Sequence, residues 1–305
     1  MPTSTPLDPS VPVRHRWFSP ARLLAIASNT LLELVRQKVF YFLLLFALLS
    51  IGSSLLVVQF TFQQQFQVLK DVSLGAMSIF SWLLAVLATA QLLPRDLEDR
   101  TLYTILAKPV PRFEYLLGKL GGVLLLLALS LALMSALFAG VLAWREQTQL
   151  ALIQAATPPE DLEAAVQALR ASTFTPSLGL AILTIFLRAA ICASLTLLIS
   201  SFATSSIFTV IVSVIAYIIG HIQPVARDYW LHSLPAGQGV SPLVQVFLGF
   251  VALFFPDFQL FNLVDEAAAG NTIPFPLFAQ TSALGLGYAM VYTFLAYLFF
   301  SQKEL

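Results

Sequence analysis

Side chains able to do chemistry are few in this sequence, and their densest group lies in one place. The stretch Pro94 to Lys119, PRDLEDRTLYTILAKPVPRFEYLLGK, is the most charge-rich island in a chain otherwise built from long apolar runs. Arg95 to Ala107 reads as a short amphipathic helix, with Leu97, Thr101, Ile105 and Leu106 on one side and Asp96, Asp99, Arg100 and Lys108 largely on the other. Lys108-Pro109 ends it, because proline disfavours the α region in the residue before it and has no N–H to donate. Both signs of charge on one short helix suit polar contacts with a soluble partner, and a solvated loop would look the same.

Within the apolar runs the charged exception is Arg188, about ten residues into Leu178–Ile199. A guanidinium at that depth costs roughly 2.5 kcal/mol or more unless it meets water or a partner. Two readings stand. Arg188 is a wall charge of a hydrated cavity or subunit interface that attracts anionic groups, or its span is tilted or starts later and the side chain snorkels to a headgroup. The single cysteine, Cys192, lies in the same apolar run and reads as a small packing residue rather than a nucleophile. His15, His221 and His232 lack metal-ligand spacing, so no metal site is expected from this chain alone.

Several chemistries are excluded outright. There is no G-x-x-x-x-G-K-[ST] loop, since Gly118-Lys119 has no glycine five residues before it and is followed by Leu120. There is no H-E-x-x-H, and Gly237-Gln238-Gly239 reads as a turn. No acid lies mid-span, which counts against an ion-coupled secondary transporter. An intramembrane enzyme would need a convergent catalytic set, but the spans offer Arg188 alone and His221 sits at a span edge. No catalytic residue is expected.

The elements that must position these residues follow from composition. The 305 residues are 58% hydrophobic and 10% charged, with mean hydropathy +0.84, which is the balance of a membrane protein. A formal net charge of zero gives no case for nucleic acid. Residues 1–18 read as a disordered tail rather than a cleavable signal peptide. Ser19-Pro20 starts a helix, serine as N-cap and proline at the first position, and its apolar stripe of Leu23, Leu24, Ala27, Leu31, Leu34 and Val35 suits a helix lying flat at the membrane interface.

Six spans are expected at about 39–58, 74–93, 120–144, 178–199, 207–222 and 273–300, by length and lack of charge. Gln59 to Asp71, with five glutamines, reads as a polar loop. Gly118 and Gly122, four apart, allow close helix approach at the start of span three. Beyond Trp144 the chain is expected to leave the membrane, and Thr157-Pro158-Pro159-Glu160 has capping-box spacing before a small external helix over about 157–171. Between spans five and six, Pro242 to Pro256 encloses an apolar stretch too short to span, hence a re-entrant or interfacial helix.

Six spans put both termini on one side. That side carries Arg14, Arg16, Arg22, Arg36, Lys38, Arg95, Arg100, Lys108, Arg112, Lys119 and Lys303, against Lys70, Arg145, Arg170 and Arg227 on the other, so both termini and the 95–107 helix are expected to be cytoplasmic.

From Ser19 to the end the pattern resembles permease subunits of the ABC-2 exporter family, particularly those associated with multicopper-enzyme maturation. The resemblance is carried by Glu33-Leu34-Val35-Arg36-Gln37-Lys38 before span one. It continues in Asp96-Leu97-Glu98-Asp99-Arg100-Thr101-Leu102 through Leu106-Ala107-Lys108-Pro109-Val110-Pro111-Arg112 to Gly118-Lys119. Tyr217-Ile218-Ile219-Gly220, Phe255-Pro256-Asp257-Phe258 and Phe261-Asn262-Leu263 complete it. It implies an all-α transmembrane domain over 19–305 that forms a translocation path in the bacterial inner membrane. It also implies that the 95–108 helix is a coupling helix, docked in a groove of a separate ATPase subunit through polar contacts of Glu98, Asp99 and Arg100 and packing of Thr101, Leu102 and Ile105. A second copy or a paralogue would complete the permease, with ATP and Mg bound by the ATPase and no cofactor on this chain. The rival expectation is a channel or scaffold with no ATPase partner.

Overall fold

A computed structural model describes residues 19–59, 65–98, 111–156, 158–231 and 242–302, and all regular structure among them is helical. The elements are α1 (Pro20–Val35), α2 (Lys38–Gln59), α3 (Gln65–Ala90), α4 (Leu92–Glu98), α5 (Arg112–Ala156), α6 (Pro159–Thr173), α7 (Pro176–Phe202), α8 (Ser206–Leu231) and α9 (Pro242–Phe254). A 3-10 turn (Phe258–Phe261), α10 (Val264–Ala268) and α11 (Phe275–Gln302) complete the fold. Six segments are long and apolar enough to cross a membrane, carried by α2, α3, α5, α7, α8 and α11. This is an all-α, six-span membrane protein.

The bundle is organised on α7. Its most apolar window is 78% buried, against 22% for α2 and 28% for α8 and α11. Helices α11, α3, α5 and α8 pack around it, while Phe42, Leu49, Ile207, Ile211 and Phe294 on the outer helices stay exposed, as lipid contact requires. Cys192 is buried on α7 within this core, a packing residue as its surroundings in sequence indicate.

Helix boundaries depart from the apolar runs in three places. Span three was expected to end at Trp144, but α5 continues for 45 residues to Ala156, about 68 Å at 1.5 Å per residue. Arg145 to Ala156 is polar yet contains neither glycine nor proline, so the helix persists until Pro158 approaches. Half of the expected 59–71 polar loop is helix as well. Helix α3 starts at Gln65, and Lys70 within it is 1% exposed, its Nζ donating to the carbonyl of Ser172 at 2.7 Å near the end of α6. Third, α8 does not stop at Ile222 but runs through Pro224 to Leu231.

The external helix exists as α6, but the residue that caps it is Pro158, with no side-chain cap bond; Thr157 lies outside the described residues. Ser19 does precede α1 with Pro20 at its first position, although Ser19 makes no side-chain cap bond. Helix α1 lies along α5, and Gly118 and Gly122 are what admit it. A Cβ on Gly122 would stand 2.6 Å from Thr30 Cβ and 2.8 Å from the Ala27 carbonyl oxygen, and one on Gly118 would stand 2.7 Å from Ile26 Cβ. Gly122→Ala is therefore expected to destabilise the purified chain by about 1–3 kcal/mol in thermal unfolding and to speed proteolysis near α1. Unchanged unfolding and proteolysis would show that α1 is not docked there.

Glycine does the same work at the far side of the bundle. A Cβ on Gly220 would meet Phe258 Cδ2 at 2.6 Å, and one on Gly285 would meet Leu187 Cδ2 at 2.7 Å. The motif ending α8's apolar run and the motif around Phe258 are thus packed together in space, Tyr217 and Phe258 rings lying 5.2 Å apart. Helix α9 packs on α8 and exposes Leu243, Val246, Phe247, Phe250 and Leu253, an apolar helix of 13 residues that is too short to cross a bilayer.

Candidate functional site

Two places gather polar side chains that a membrane protein would otherwise exclude, and they lie at opposite ends of α3. The first is at its end nearest α4. Lys119 of α5, 5% exposed, brings Nζ to 2.7 Å from Asp96 Oδ2 of α4 and 3.7 Å from Glu33 Oε2 of α1. Arg95 Nη1 lies 3.7 Å from Glu33 Oε1, and the Tyr115 hydroxyl donates to Asp96 Oδ2. Lys119 also stands over the Tyr115 ring, 5.8 Å from its centroid.

One turn earlier on α5, Glu114 is 1% exposed and receives a second set of donors. Its Oε1 accepts from the backbone N–H of Ser19 at 2.7 Å and from Arg22 Nη2 at 3.1 Å, while Arg22 Nε stands 2.9 Å from Oε2. Arg112 Nη1 donates to the Ser301 carbonyl at 2.6 Å, tying the start of α5 to the end of α11. Charges removed from water are tolerated only when paired and hydrogen-bonded. Here α4 and the first turns of α5, the two flanks of the 99–110 segment, are joined by a buried ion pair, and α5 is tied to α1 through the buried Glu114 carboxylate, with the more exposed Arg95–Glu33 pair linking α4 to α1.

Of the expected docking residues, Glu98 closes α4, and its side chain, together with Asp99, Arg100, Thr101, Leu102 and Ile105, lies outside the described residues. The expected 95–107 helix therefore falls there too, apart from α4, which begins at Leu92 rather than Arg95 after a break at Gln91. Sequence reading placed Glu33, Asp96 and Lys119 inside its motifs without pairing them. Their pairing spans 23 positions between Asp96 and Lys119 and 86 between Glu33 and Lys119, beyond any local spacing rule.

The second place is a cavity of about 470 Å³ between α3, α7, α8 and the segment 262–265. Arg188 is the thirteenth residue of the 27 in α7, about 18 Å from its start, and is 8% exposed. It therefore lies near the middle of α7, away from both helix ends. Arg188 shares the cavity wall with Tyr217, whose ring stacks on Trp82 at 4.0 Å and lies 4.5 Å from His221.

The cavity also corrects two expectations about charge. Asp71, assigned to a loop, belongs to α3, and it lines the same wall as Arg188 together with Asp265 and Asn262. One span therefore does offer an acid to this region, Asp71, and α10 adds Asp265. His221 lies four residues from the end of its candidate span, Ser206–Val225, in a helix that continues beyond it, and it also lines the cavity. Asn262 Nδ2 donates to Asp265 Oδ2 at 2.8 Å, which orients that carboxylate. Among the described residues, no three of His, Cys, Asp and Glu converge to hold a metal.

The geometry thus comprises a six-span helical bundle, an ionic cluster at the root of the segment between the second and third spans, and a polar cavity against the central helix. No curated protein sequence matches the chain. The family model described as "ABC-2 family transporter protein" matches residues 24–305, nearly the whole chain. The protein is an integral membrane protein that belongs to the ABC-2 transporter family.

Proposed function

We propose that this chain is the permease subunit of an ATP-driven exporter, working with a separate ATPase that docks on the 95–108 segment and with a second copy or a paralogue of itself. In this reading both termini face the cytoplasm of a bacterial cell, ATP and Mg sit on the ATPase, and this chain forms the translocation path with Arg188 in its wall. The chain itself performs no hydrolysis.

The observation that supports it is the buried ionic root of the 99–110 segment. Work done on a docking segment reaches the spans only if the segment cannot pivot independently. Asp96 paired to Lys119, with Glu33 bridging to Arg95, makes α1, α4 and α5 one mechanical unit at its base. A solvated loop between spans needs no such buried charges, which each cost several kcal/mol to desolvate before pairing returns it.

Affinity purification of the full chain from its native membranes, followed by mass spectrometry, tests the proposal. A co-purifying subunit with a G-x-x-x-x-G-K-[ST] loop is the expected result. Recovery of intact permease without any such subunit, under conditions that keep other membrane complexes together, would overturn it in favour of a channel or scaffold.

A further inference from the structure

The cavity at Arg188 has a charge order along its length. It extends along α3 from Gln67 to Ile79, about 18 Å at helical rise. Asp71 stands in the second turn of α3, toward the end of the helix away from the ionic cluster, and Asp265 on α10 approaches closely enough to interact with it electrostatically. Arg188 projects from the middle of the central helix. A cation beside the middle of the central helix and two carboxylates toward one end of α3 therefore line one connected space.

The two charge centres do not neutralise each other. Among the described residues, neither Arg188 nor Asp71 forms an ion pair. A guanidinium carries five N–H donors, more than the Tyr217 oxygen on the same wall could accept. An arginine left with donors in a space of ligand size, between about 300 and 1,000 Å³, is a site for an anion with at least two oxygens. Two neighbouring carboxylates in the same cavity repel each other and are relieved by an ammonium.

We propose that the cavity bounded by Arg188, Tyr217, Asp71 and Asp265 binds a zwitterion, its carboxylate or phosphate on Arg188 and its ammonium against the two aspartates. Tyr217 lines the same wall as the guanidinium, and Asn262 holds the Asp265 carboxylate, so the acidic end is oriented before a ligand arrives. A lipid headgroup and a soluble zwitterion such as a short peptide present this same chemistry. The inference deepens the transport reading, and naming the ligand as cargo rests on that reading. Binding does not, because it is measured without any ATPase.

The test uses the full chain in nanodiscs and two matched pairs of probes, each pair differing in the ammonium. Phosphatidylethanolamine against phosphatidylglycerol, competed and read by native mass spectrometry, represents the lipid source. Trialanine against N-acetyl-trialanine, read by calorimetry, represents the soluble source. In at least one pair the zwitterion is expected to bind about ten-fold more tightly. Asp71→Asn combined with Asp265→Asn is expected to erase that preference while leaving the anion-only probe unaffected, and Arg188→Gln is expected to weaken both members of the pair. The proposal is overturned if neither zwitterion binds, if each control binds as well as its zwitterion, or if the preference survives the double asparagine variant. Should Arg188→Gln fail to fold, the probe pairs and the asparagine variant still decide. Absence of binding with an intact ATPase partnership would remove this site and leave the coupling proposal standing.

Discussion

Glu98→Ala combined with Arg100→Ala is expected to separate ATP hydrolysis from transport while the permease still inserts and folds. The physical reason is that the two positions are wanted by different partners. Fold stability at this end of the bundle rests on Asp96, Glu114 and Lys119, held by Tyr115 and Arg22 and by the Asp96–Lys119 pair itself. The resemblance to ABC-2 permeases assigns Glu98 and Arg100 to the ATPase groove. Removing two polar anchors from such an interface costs about 2 kcal/mol or more, roughly thirty-fold in docking affinity. Reconstituted vesicles containing the variant and its ATPase should therefore hydrolyse ATP with transport reduced about ten-fold or more, and the variant alone should unfold at the wild-type temperature. Transport at the wild-type rate per ATP would remove the 95–108 segment as the coupling element. A fall in unfolding temperature would instead mean that these side chains belong to the fold.

Lys119→Met carries the largest stability effect. The Nζ lies 2.7 Å from Asp96 Oδ2 in a site where both side chains are almost wholly enclosed, so its loss leaves a buried carboxylate without its cation. Breaking a buried pair in this way costs about 3–5 kcal/mol, far more than an exposed pair. The Tyr115 hydroxyl still donates to Asp96, which softens the loss without cancelling the charge. Thermal or denaturant unfolding of the purified chain measures it. Lys119→Met with Asp96→Leu should recover a large part of the loss, because an apolar pair of similar volume removes the desolvation cost along with the attraction. Stability within about 0.5 kcal/mol of wild type for Lys119→Met alone would show that the cluster is not a buried anchor. The consequence for function runs the same way: with its root loosened, the 99–110 segment would transmit less of any motion imposed on it.

What the sequence settled by itself is the set of elements. Long runs without charge make six spans legible, because a bilayer of fixed thickness demands a fixed length of apolar helix. Ser19-Pro20 marks the start of α1, and Gly118 with Gly122 marks where another helix comes close, since only a missing Cβ permits that approach. The absence of nucleotide-binding and metal-binding spacings was also readable, because those chemistries depend on local patterns.

Helix ends were less legible. Apolarity reports the surroundings of a helix, whereas backbone hydrogen bonding and proline decide where it stops. The polar residues around Gln65 thus read as a loop, and those after Trp144 only as lying outside the membrane, although nothing in either stretch breaks a helix. That error hid Asp71, and with it the acid that shares a cavity with Arg188.

Only tertiary structure decided which charges meet. Arg188 was visible as an anomaly from its position in an apolar run, yet only the fold brings Tyr217, Asp71 and Asp265 to the same cavity, from α8, α3 and α10. Lys119 was visible as the end of a charged island, but it acts through Asp96 and Glu33 on two other helices. A sequence displays charge and period one residue at a time, and the energy of a buried charge depends on distance and on water excluded by helices far away along the chain.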